Sequence, residues 1–120
     1  MKKELIQSFL EAFAVGDAYG KATEYCSLEQ VQAHYSRIDD LLPPEKAIAH
    51  QDLFYGQVTD DTEQNVYLLR EYARQGRVTP YDTAMCLLLW VQETDAATKY
   101  IGPNSLKALR AIEQGADVTT

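Results

Sequence analysis

Cysteine is scarce and unpatterned, with Cys26 and Cys86 the two in the chain. They lie in different segments and form no motif, so no disulfide framework is expected, and inert thiols in a reduced, cytoplasmic protein are. Runs of Lys or Arg are also missing, and 18 acidic residues against 11 basic ones give a net charge of -7. A surface of that sign repels nucleic acid phosphates and anionic membranes, so neither is expected as a partner. Long apolar runs are absent too: the longest, Ala84 to Val91, is far short of a membrane span. At the start, Glu4, Gln7, Ser8 and Glu11 interrupt any signal-like apolar segment, which reads as a mature cytoplasmic beginning. Finally, no stretch alternates with the period of two that a half-buried strand requires. The expectation is an all-α chain of five or six helices.

The chain does have 120 residues, 46% of them hydrophobic and 24% charged, enough for one domain with a real core. It is organised around Gly56 to Tyr72. Val66, Leu69 and Tyr72, widened by Leu68 and Ala73, predict a helix that buries this stripe. Asp60 with Glu63 has capping-box spacing, and Thr59 with Thr62 offers a second cap. One cap is enough for a helix, yet Thr59, Asp60, Asp61, Thr62 and Glu63 place oxygen ligands on five successive positions. Adjacent carboxylates repel and recover only about 0.3–1 kcal/mol each from the helix N-terminus. A hard cation such as magnesium, which takes oxygen ligands and keeps some waters, removes that conflict. The competing account is a solvated, over-capped helix start.

Upstream, Leu5, Ile6, Phe9, Leu10, Phe13 and Ala14 give residues 4–15 a broad apolar helical face. From Ala12 the residues become small, through Ala14, Gly16, Ala18 and Gly20, as for close packing against a neighbour. Asp17 sits among them and needs a partner there, either backbone amides or a buried base, or else it walls the same acidic pocket as Thr59 to Asp61. Lys21 to Cys26 reads as a loop carrying Glu24. Ser27 with Gln30 opens a short helix with Leu28, Val31 and Tyr35 on one face. His34 is expected at the surface or core edge, Pro43-Pro44 in a turn, and a weak helix within residues 45–53. His50 is expected to be solvated, while Phe54 and Tyr55 either wall a pocket or pack.

Downstream, Gly76 should end the central helix, with Arg70 and Arg74 favouring its dipole. Thr79-Pro80-Tyr81-Asp82 is a strong helix start. The helix it opens, residues 80–92, carries Ala84, Leu87, Leu88 and Val91 as core, with Met85, Leu89 and Trp90 widening the apolar belt. Residues 95–100 form a short segment. Gly102-Pro103-Asn104-Ser105 starts a last helix bearing Leu106, Leu109, Ala111 and Ile112, closed by Gly115, and the tail of residues 116–120 has no pattern.

Gly16-Asp17-Ala18-Tyr19-Gly20, Glu24 after it, and Gly56-Gln57-Val58-Thr59-Asp60-Asp61-Thr62 together resemble the amino-terminal signature of the ADP-ribosylglycohydrolase family. That family includes enzymes that remove ADP-ribose from arginine or serine side chains and the dinitrogenase-reductase activating glycohydrolases. Ile101-Gly102-Pro103 and the helix after it resemble a further family feature in the same order. The resemblance implies an orthogonal multi-helix bundle around a two-magnesium cleft, with manganese able to stand in. It implies that Thr59, Asp60 and Asp61 ligate metal, that Glu24 lies on the loop flanking the substrate ribose, and that Asp17 supports the metal loop at the pocket floor. The implied reaction is hydrolysis at the anomeric carbon of the distal ribose, with Asp61 or Glu24 handling the proton.

The chain departs from the family in length. It ends before the Asn-Gly and Met-Arg segment and before the carboxy-terminal Gly-Asp-x-Asp-Thr motif that supplies the remaining metal ligands. Asp82, Asp95 and Asp117 lack that motif's context. Residues 1–120 are therefore expected to be the amino-terminal portion of such a domain, acting on an ADP-ribosylated protein or ADP-ribose derivative once the rest of the domain, or a second subunit, completes the site. Two alternatives are a catalytically inactive module that binds ADP-ribose or regulates, and an unrelated helical interaction protein.

Overall fold

The computed structural model describes residues 2–119, the side chains of residues 97 and 98 excepted; residues 1 and 120, the latter the last of the pattern-free tail, lie outside the description. All regular structure among the described residues is helical, in two compact units, Met1–Thr59 and Asp60–Thr120.

In the first unit, α1 runs Lys3–Gly20, longer than the periodic stretch because small residues continue a helix even where they add no apolar stripe. It tightens into a 3-10 turn over Lys21–Thr23. Ser27 then caps α2, Leu28–His34, with its side chain accepting from Gln30 while Gln30 reaches back to the Ser27 amide, the expected capping box. A second 3-10 turn covers Pro44–Lys46. Within residues 45–53 it is the one helical piece; the segment is instead drawn onto the α1 turn, where the Ala22 carbonyl accepts from both Ile48 and Ala49. Ala18, Ala22, Ala47 and Leu53 are buried there.

The close packing expected of the small residues is met at Ala18, which is buried, and not at the glycines: a Cβ placed on Gly16 or Gly20 would touch nothing within 4 Å. Leu5, Ile6, Phe9 and Val15 stay exposed, Phe9 by 66%, so the apolar face is present but uncovered in this unit.

The second unit opens with α3, Asp60–Gln75. Gly76 ends it as expected, at φ 67 with its amide returning to Tyr72, a left-handed conformation that glycine adopts without steric cost. The side of α3 that packs overlaps the predicted stripe at Leu68 and Tyr72 but turns away from Val66, Leu69 and Ala73. Val66 and Leu69 are 45% and 43% exposed, while Glu63, Tyr67, Leu68 and Tyr72 are partly buried. Polar contacts to α4 decide this rotation: Tyr67 donates to Glu93, Tyr72 pairs with Thr83, and Glu63 accepts from Trp90.

α4 spans Pro80–Glu93, with Thr79 as N-cap accepting from the Asp82 amide and Pro80 in its first turn. Ala84, Cys86 and Trp90 are buried, whereas Leu89 is 47% exposed and Leu87, Leu88 and Val91 are half-buried. The short α5, Ala96–Lys99, and α6, Pro103–Glu113, follow. Gly115 closes α6 at φ 97. α3 packs on α4 and α4 on α6.

Candidate functional site

The last turns of α1 hold the chain just before Thr59. Asp17 Oδ2 accepts from the Thr59 amide at 2.8 Å, and its Oδ1 accepts from the Thr59 hydroxyl at 2.6 Å. Asp17 thus has the backbone-amide partner that one of its two readings expects, and that amide belongs to the acidic loop. Thr59 is only 3% exposed. Its hydroxyl proton is spent on Asp17, so the lone pairs are the part of that oxygen left for a further partner.

One helical turn after Asp17, Lys21 does the same for the preceding residues. Its Nζ donates to the Phe54 carbonyl at 2.7 Å and the Gln57 carbonyl at 2.6 Å. Lys21 is 6% exposed, and burial lowers its pKa while the Asp17 charge opposes the fall. Sequence reasoning passed Lys21 over as a loop residue. The available signal was its spacing from Asp17, four positions on one helix, which puts an acid and a base on the same face.

Glu24 lies just after the 3-10 turn and pairs with His50, Nε2 to Oε2 at 2.5 Å. The expectation that His50 is solvated is thus wrong, since its side chain is 12% exposed. The turn onto Ala22 brings His50 to Glu24, a long-range pairing that local spacing does not reveal. Tyr25 and His50 both adopt positive φ, 60° and 52°, a conformation costing non-glycine residues about 1–2 kcal/mol each. His34 is exposed and pairs with the Gln30 carbonyl of its own helix. Phe54 and Tyr55 are 79% and 58% exposed.

Asp60 and Asp61 are the first residues of α3, where their charge is favoured by the helix N-terminus. Asp60 Oδ2 receives a long bond from Gln64, 3.4 Å, and the Asp61 carbonyl receives the Asn65 side chain at 3.0 Å. Glu63 does not serve as a capping-box partner. Its carboxylate accepts from Trp90 Nε1 at 2.8 Å and Tyr100 hydroxyl at 2.7 Å, tying the first turn of α3 to the fully buried indole of α4. Burial, the bond to Glu63 and the nearby Asp60 charge together raise the Tyr100 pKa.

The donor chemistry of Thr59, Asp60 and Asp61 suits magnesium in kind, being all hard oxygen. It does not suffice in number. Among the described residues no group of three or more His, Cys, Asp or Glu is placed to hold a metal ion, and three consecutive residues leave an octahedral shell incomplete. A cleft in the second unit, about 400 Å3, is lined by Pro80, Ala84, Leu87, Leu109 and Ile112 among others, none of them titratable.

A sequence model of the ADP-ribosylglycohydrolase family matches residues 2–120. An uncharacterized protein of Archaeoglobus fulgidus is 34% identical over 113 residues, covering 94% of this chain and 35% of its own length. The uncharacterized protein YegU of Escherichia coli K12 is 35% identical over 121 residues, covering 98% of this chain and 36% of its own. The chain thus spans about a third of the length of the curated relatives it matches. No solved structure matches it.

Proposed function

Because the chain belongs to the ADP-ribosylglycohydrolase family, we propose that residues 1–120 are the amino-terminal portion of a magnesium-dependent hydrolase that splits the glycosidic bond between ADP-ribose and a protein side chain. The two-point hold of Asp17 on Thr59 carries this reading. A half-buried carboxylate that orients a threonine hydroxyl immediately before two aspartates is more than helix capping needs.

Thr59, Asp60 and Asp61 would hold magnesium, with further ligands supplied from outside this chain, either by the remaining part of the domain or by a second subunit. Bound there, the ion would hold ribose hydroxyls and polarise a water. The chain's own carboxylates handle the proton. Asp61 or Glu24 takes it from the attacking water as the hydroxyl oxygen bonds to the anomeric carbon, the glycosidic bond breaks with its electron pair leaving on the side chain, and the carboxylate passes the same proton to that leaving atom. Positive charge develops on the ribose as the bond breaks, and acidic side chains stabilise it.

The test is hydrolysis of ADP-ribosylated arginine and serine peptides by the full-length gene product. Activity is expected with magnesium, lost to a chelator, and reduced at least about a hundredfold in Asp60→Ala and Asp61→Ala. Hydrolysis that survives both substitutions sinks the assignment. Binding of ADP-ribose with no turnover would instead support an inactive recognition module.

A further inference from the structure

We propose that His50 is a positioning residue for Glu24, a role that rests on placing Glu24 at the substrate ribose. A glutamate in a loop has three side-chain torsions, and an unanchored carboxylate samples many directions. Here one of its oxygens is anchored. Oε2 lies 2.5 Å from His50 Nε2, and because a carboxylate accepts, Nε2 carries the hydrogen. Fixing Oε2 sets the direction in which Oε1 points, which is what a group that must meet one hydroxyl or one water needs beforehand.

Three features show that this pair is built rather than incidental. The His50 side chain is shielded, at 12% exposure, while the Glu24 side chain keeps 35%, so the anchor is the more covered partner of the pair. The Ala22 carbonyl takes both the Ile48 and Ala49 amides, each at 3.0 Å, which brings the His50 segment beside the Glu24 turn by main chain alone. Both Tyr25, next to Glu24, and His50 itself hold left-handed backbone, φ 60 and φ 52, a strain that persists only where surrounding contacts impose it. Nothing in helix or turn formation calls for a histidine at this position.

The experiment compares kcat and KM of the full-length gene product on ADP-ribosylated arginine and serine peptides. His50→Ala should lower kcat by about tenfold or more while KM stays within about twofold, the mark of a group that matters in the transition state rather than in ground-state binding. His50→Gln, whose amide donates from nearly the same place, should recover most of the rate. Adding His50→Ala to Glu24→Ala should cost nothing further, since both act through one carboxylate. Should His50→Ala fail to fold, His50→Asn decides, because asparagine accepts left-handed backbone yet its shorter amide does not reach Glu24; the same loss of kcat is expected. Wild-type kcat in His50→Ala or His50→Asn, or no recovery in His50→Gln, beside an impaired Glu24→Ala, overturns the positioning role and leaves Glu24 in place. A fully active Glu24→Ala, or a wild type with no hydrolysis, overturns the ribose reading and His50 with it.

Discussion

Single side chains at the end of α1 organise the first unit more than its apolar residues do. Lys21 satisfies two carbonyls, of Phe54 and Gln57, from a buried position. Lys21→Met keeps the bulk but leaves both carbonyls without that donor, so unfolding in urea should show a loss of about 1–3 kcal/mol. Asp17→Asn should be more local. It weakens the grip on the Thr59 hydroxyl and amide, and amide hydrogen exchange at Thr59 should quicken while that at α2 does not change. Tyr100 is a pH-sensitive residue of the second unit. Burial and its bond to Glu63 raise its pKa above the ordinary 10.0. The unfolded phenol ionises near that ordinary value while the folded one keeps its proton, so the unfolded state binds fewer protons and stability falls as pH rises beyond it. The stabilisation is whole below pH 10.0. Tyr100→Phe should therefore flatten the alkaline limb of a melting-temperature profile.

At the scale of elements, α4 carries its own start signal and supplies the fulcrum for its neighbours. Thr79 accepts from the Asp82 amide at 3.0 Å and donates to the Asp82 carboxylate at 2.7 Å. Thr79→Ala should cost about 0.5–2 kcal/mol in chemical denaturation. Trp90 is fully buried and gives its indole proton to Glu63. Trp90→Phe isolates the loss of that hydrogen bond, and Trp90→Ala adds a cavity, for a total of about 3–5 kcal/mol. The α3 end was legible because a left-handed glycine is a local device. The rotation of α3 was not. Val66 and Leu69 are more apolar than Glu63 and Tyr67, but the latter find partners on Trp90 and Glu93, and a satisfied polar contact at a packed surface outweighs a half-exposed aliphatic one.

For the molecule as a whole, the exposed residues of α1 are the clearest sign of incompleteness in packing. Phe9 stands 66% exposed, its ring 6.4 Å from that of Phe13. Phe9→Gln should change the stability of this chain by no more than about 1 kcal/mol, because surface substitutions away from packed features have small effects. A larger loss would mean that the face is covered in solution. On the proposed reading further polypeptide covers this face, and a larger stabilising effect of Phe9 in the full-length gene product is the expected outcome.

Composition and spacing were sufficient for the helical class, the Ser27 and Thr79 caps, and the stops at Gly76 and Gly115, because each depends on residues within one or two turns of each other. Tertiary structure alone decided that Asp17 grips Thr59, that Lys21 is buried under residues 54–57, that His50 meets Glu24, and which side of α3 packs. Those outcomes join positions more than twenty residues apart or weigh one buried contact against another, and local periodicity holds no information about either.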